Sequence, residues 1–198
     1  MVDDAVPIAD LSPHSRGSRL SDFTKNNTTL LPAEEKLREA CMRGETCVIG
    51  DGTKPNASTN ENTIRASFLR YLILGGCEES PLHQRGVRLK GAFIQCHDNS
   101  EFGKCMDLES TNIMVDILLW QCAIDGCLVV QSAKAKNLTL SGSSIDGLEG
   151  DRLSLRGSLH IREKFRTTKI VRLIGATIDG SLDCSNGQFD GSDSSIRL

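Results

Sequence analysis

From Val87 to Leu198 the chain sets small or apolar residues five positions apart, with Gly, Ser, Asn and Asp between them. Leu89 leads to Ile94, Leu108 to Ile113, Leu119 to Ile124, Val130 to Ala135, Leu140 to Ile145, Leu173 to Ile178 and Cys184 to Phe189. The segments VRLKGAFI, MDLESTNI, LLWQCAID, NLTLSGSSIDG, VRLIGATIDG and SLDCSNGQFDG read alike. Such repetition predicts a mainly β protein, a right-handed β-helix or solenoid whose units bury their inward faces against their neighbours. The leading positions 89, 108, 119, 130, 140, 155, 173 and 184 step by about 10 or 11 residues, so one coil takes roughly 20 to 22. Each half-coil carries a short strand at its first inward residue and a turn at its Gly or Asp. Two longer steps predict loops, QCHDNSEFGK at 95–104 and the Arg- and Lys-rich LHIREKFRTTKIV at 159–171. Loops on a regular scaffold are where function is usually carried.

Upstream the period changes. Residues 1–29 are rich in Ser, Thr, Asn and Asp without periodicity, which predicts a disordered tail. Residues 30–80 form a helical N-terminal cap, and 81–198 the solenoid. A first helix runs from Pro32 to Arg43, with Pro32 in its first turn, Glu34 and Glu35 at its positive start, and Gly44 as its stop. A short strand at Thr46–Ile49 follows. The second helix starts from a capping box, Ser58 with Glu61, carries Ile64, Phe68 and Leu72 on one face, and ends at Gly75 and Gly76. Residues 77–86 link it to the first coil. Two helices laid across an open solenoid end hide strand edges and core that would otherwise be exposed.

Charge narrows the partners. The net charge is −3, and residues 81–198 hold 14 acids and 14 bases, a neutral balance that gives no support for non-specific nucleic-acid binding. MVDDAVPIAD lacks the basic and apolar regions of a secretory signal, and no apolar run reaches a membrane span. These features predict a cytoplasmic protein, with export of a Ser-rich N-terminus without a classical signal as the alternative. Eight cysteines occur without a CxxC pair, which favours small buried hydrophobes over metal ligands or disulfides.

With these motifs in view, the chain resembles the pentapeptide-repeat-like bacterial β-solenoid proteins. The resemblance covers roughly residues 30–198, and ENTIRASFLRYLILGG, GVRLKGAFI and VRLIGATIDGSLDCS carry a narrower likeness to an uncharacterised group within them. Some members are labelled membrane-associated oxidoreductases. The chain has neither the Gly-x-Gly-x-x-Gly turn nor the CxxC pair which that label would need, so no cofactor is expected. Two departures stand out: coil lengths are irregular for a strict pentapeptide array, and SDSSIRL stops as though partway through a coil.

The candidate chemistry is sparse. An enzyme would draw on Cys96 or Cys105 with His83 or His160. Asp125, Asp146 and Asp179 in Ile-Asp-Gly turns could stack as a carboxylate ladder, although turn chemistry explains them more simply. Arg152, Arg156, Arg162, Lys164, Arg166, Lys169 and Arg172 are the one local concentration of charge, a patch for an acidic partner or phosphate, or else a solvated loop. The reading that follows is a non-catalytic scaffold for protein–protein interaction that forms a homodimer through its C-terminal end near Ile196. A DNA-mimicking regulator is the alternative, and it would need a strongly acidic face.

Overall fold

The computed structural model describes residues 19–24, 29–99, 103–190 and 196–197. Most of the expected tail, the side chain of Ile196 and Leu198 lie outside the described residues. Two helices, with the first strands of two sheets between them in sequence, accompany four open sheets built mainly from parallel strands and one two-stranded antiparallel pair. The chain visits the sheets in turn and returns to the same sheet every fourth strand. One such pass runs Leu138–Thr139 in the first sheet, Ser144–Ile145 in the second, Leu148–Glu149 in the third and Ser154–Leu155 in the fourth. The next begins at Leu159–His160. Register partners are therefore about one pass apart: Leu138 opposite Leu159, Ser144 opposite Arg166, Leu148 opposite Val171. The expected unit thus contains four strands where the half-coil reading had two.

The spacing of five has a local cause. Leu140 and Ile145 straddle a left-handed corner at Gly142 between the first and second sheets. Val130 and Ala135 straddle another at Ser132 between the third and fourth. Gln121 and Arg152 repeat these left-handed conformations at equivalent corners. Each corner lets two side chains on separate sheets point to the same interior. The resulting inward columns are Val87, Ile117, Leu138 and Leu159 in the first sheet and Ile64, Ile94, Ile124 and Ile145 in the second. All are at most 5% exposed. Removing one such side chain from water contributes about 2 kcal/mol.

The two longer steps resolve differently from expectation. His97–Asn99 and Gly103–Asp107 form an antiparallel pair, and Gly103–Asp107 then serves as a regular strand of the third sheet beside Cys127–Val129. Residues 159–171 are not a loop. Leu159–His160, Arg166–Thr167 and Val171–Arg172 lie in three successive sheets, with Ile161 and Phe165 fully buried between them. The positive charges there had masked a normal inward pattern, because outward positions on a sheet tolerate any soluble residue.

Helix α1 spans Pro32–Arg43 and ends at Gly44, whose φ of 69° supplies the expected left-handed cap. Helix α2 spans Ala66–Ile73, later than the sequence reading placed it. Thr63–Arg65 is a strand paired with Phe93–Gln95, and the segment around Ser58 and Glu61 is a turn closed by Asn62, which accepts from the Thr59 N–H at 2.8 Å. Ile64 fits both a helical face and a strand interior, so periodicity could not separate them; pairing with a segment 30 positions away decided for the strand. Residues 77–86 are also more than a linker, since Ser80–Pro81 pairs back on Gly76–Cys77.

Both helices pack on the first strands of the sheets. Glu34, fully buried, accepts from the Leu31 N–H, the Arg65 N–H and the Arg65 guanidinium, which ties the start of α1 to the start of α2. Within the segment expected to be structureless, Leu20–Phe23 forms a turn of 3-10 helix, and the Phe23 ring lies 5.2 Å from both Phe68 and Tyr71.

Candidate interaction surfaces

Parallel passes put residues about 20 positions apart side by side, and this decides what the basic segment can do. Arg162 reaches Asp183 at 2.9 Å, Arg166 reaches Asp190 at 3.0 Å, Lys169 reaches Asp146 at 3.5 Å and Arg172 reaches Asp151 at 2.8 Å. Each base thus meets an acid from a neighbouring pass. Asp183, held by the hydroxyl and N–H of Ser185 and by Arg162, has its pKa pulled down to about 2. Lys164 sits at a left-handed corner beside Gln121 and Asn186. Ile196 belongs to a strand opposite Val171 in the third sheet.

Arg156 is separated from this group. It lies on the outer face of the fourth sheet and lines a cavity of about 270 Å³ together with Met114, Lys134, Lys136 and Ser154. Ala135 and Ile113, both buried, form the floor. Lys136 and Arg156 occupy adjacent outward positions on successive passes, as the Arg156 N–H to Ala135 C=O and Gly157 N–H to Lys136 C=O bonds fix. Lys136 forms an ion pair with Asp116 at 3.9 Å, and the same carboxylate also accepts from the Asn137 amide at 2.8 Å. Gly157 permits the close approach of these passes: a Cβ there would lie 2.0 Å from the Asn137 side-chain oxygen. The sequence did not reveal this cavity, because Lys134 and Lys136 are far from Arg156 along the chain. The signal was present only once the length of a pass was known.

The far end of the stack is the second surface. In the pass from Leu159 to Thr167, Leu159, Ile161, Phe165 and Thr167 are fully buried. One pass later Leu182, Cys184 and Phe189 are only half-buried, as is Ile178, which follows the buried Leu155 in the fourth sheet. The Phe165 and Phe189 rings meet across that step at a tilt of 47°, with centroids 5.7 Å apart. Among the described residues no strand pairs with the outer edges of Leu182–Asp183 and Gln188–Phe189.

The Cys and His candidates are dispersed. His160 lies on the first sheet, 3.4 Å from the Thr139 hydroxyl, whereas Cys105 lies on the third. The His83 ring accepts from the Arg85 N–H beside the end of α1. Burial pushes the Cys96 thiol up to about 12, and does the same to Cys41 and Cys122. Cys77 moves the other way: the Tyr71 hydroxyl donates to its sulfur at 2.9 Å and lowers its pKa. Asp125 and Asp146 stand on successive passes of the second sheet, each beside a lysine, while Asp179 lies past the fourth sheet, so the three do not stack as one ladder. Among the described residues no group of three His, Cys, Asp or Glu could hold a metal, and no helix is long and apolar enough to cross a membrane. No family model, curated protein or solved structure matches the chain.

Proposed function

We propose that this chain is a non-catalytic β-solenoid scaffold for protein–protein interaction, of the pentapeptide-repeat-like kind, that self-associates through the end of the stack holding Leu182 and Phe189. The return to each sheet every fourth strand and the left-handed corners between paired apolar positions support the solenoid. The observation that carries the function is the fall in burial across one pass, from Leu159 and Phe165 to Leu182 and Phe189. A core layer left half-covered, rimmed by open strand edges, gains most from a matching layer, and a second copy brought in by a two-fold axis supplies one. A DNA-mimicking regulator needs a continuous acidic face, whereas here acid and base alternate along the stack, Asp183 beside Arg162 and Asp146 beside Lys169.

Hydrogen exchange tests the assignment. At high protein concentration the edge amides of Leu182–Asp183 and Gln188–Phe189 that point away from the sheet exchange slowly, and dilution releases them. Equal, fast exchange at all concentrations would remove the end from consideration.

A further inference from the structure

At the fourth-sheet cavity three cations share a single acidic contact, that of Lys136 with Asp116 of the preceding pass at 3.9 Å. Lys134, Lys136 and Arg156 are exposed around it, and Lys134 and Arg156 make no ion pair among the described residues. Adjacent strands of a sheet stand about 4.8 Å apart, so Lys136 and Arg156 place two like charges at neighbouring outward positions, an unfavourable arrangement in the free protein. Next along the same row are Met114, 63% exposed, on one side and Asp179 on the other. The positive step is therefore two passes long and closed by an apolar side chain at one end and a carboxylate at the other.

From this we infer that the cavity is a docking groove for a short extended segment of a partner protein in which Asp or Glu residues stand next to an apolar side chain. The reading rests on the molecule's being an interaction scaffold but uses a surface separate from the stack end. Carboxylates would lie against Lys134, Lys136 and Arg156, and the apolar residue would cover Met114 and the Ala135 floor. Charge complementarity supplies the selection, and relief of the Lys136–Arg156 repulsion adds to it. A small anion fits less well. Compact anion sites depend on fixed, buried donors, and Asn137, the amide in this wall, is already engaged by Asp116 and by the Ser158 N–H at 2.7 Å. A nucleic-acid backbone needs a longer run of cations than two passes provide, and it would meet Asp179.

The test is selection of short random peptides displayed on phage against the immobilised full chain and against K134E/K136E/R156E. These three side chains are exposed, so the variant keeps the wild-type circular dichroism spectrum and unfolding midpoint. Wild-type protein enriches peptides with acidic residues beside an apolar one. The triple variant loses them, and a synthetic copy of an enriched peptide binds it at least ~10-fold more weakly. R166E, at a base already paired with Asp190, leaves that affinity unchanged. Enrichment of the same peptides on both proteins, or of none on either, would overturn the assignment. So would displacement of the synthetic peptide from wild type by a single-stranded DNA oligonucleotide at lower concentration than by the peptide itself. A monomeric L182E variant that still binds the peptide separates failure of the groove from failure of the self-associating end.

Discussion

The two ends of the stack hold the same sheets in different states. At one, Ile64 begins the second-sheet column fully buried, because α1 and α2 lie over it and Glu34 fastens their starts to Arg65. At the other, Phe189 ends that column half-buried with no described strand beyond it. A parallel stack cannot satisfy its own last layer, so each end needs a device. The chain supplies one at the Ile64 end as helices; at the Phe189 end the device is the proposed matching layer of a second copy.

Several substitutions sharpen this contrast. The largest effect is expected at Phe165, where truncation to Ala in a closed layer costs about 4 kcal/mol. Phe189→Ala, one pass on and half-exposed, costs about 2 kcal/mol in dilute solution. Urea unfolding of both variants gives the difference, and equal losses would mean that the last layer is as closed as its neighbour. At the sealed end, Glu34→Leu strands the Arg65 guanidinium and two backbone N–H groups, a loss of about 3 kcal/mol in the same assay.

Thiol labelling gives a smaller but more local signal. Cys77 alkylates first because its lowered pKa leaves it ionised at lower pH than an ordinary thiol. Tyr71→Phe removes the donor and moves the pH midpoint of its labelling upward. Cys41 and Cys47 under the helices, raised to about 12 and about 11, stay unlabelled in the native state. Cys184, half-buried at the far end, reacts slowly in dilute protein and more slowly still when concentrated. The least effect belongs to the paired outer faces: Arg172→Ala loses a partly buried ion pair with Asp151 and costs about 1 kcal/mol by thermal or urea unfolding.

Much of the architecture was legible in the sequence because the five-residue spacing reports a corner, a local feature. Pairs such as Leu119 with Ile124 and Leu140 with Ile145 are buried as that spacing predicts. Helix α1 was legible through Pro32 and Gly44, which act within one turn. What was not legible depends on pairing at a distance. Thr63–Arg65 becomes a strand only because Phe93–Gln95 lies beside it, and the basic segment at 159–171 becomes regular sheet only through partners one pass away on either side. The same holds for the candidate surfaces. Chain proximity grouped Arg156 with Arg162, Arg166 and Lys169, yet the fold hands those three to Asp183, Asp190 and Asp146 and sets Arg156 beside Lys136.

The most direct test of the central claim is the mass of the protein in solution, measured by light scattering over a concentration series for wild type and L182E. The account predicts a wild-type dimer that dissociates on dilution and an L182E variant that is a folded monomer throughout. A wild-type protein that stays monomeric at every concentration would contradict it.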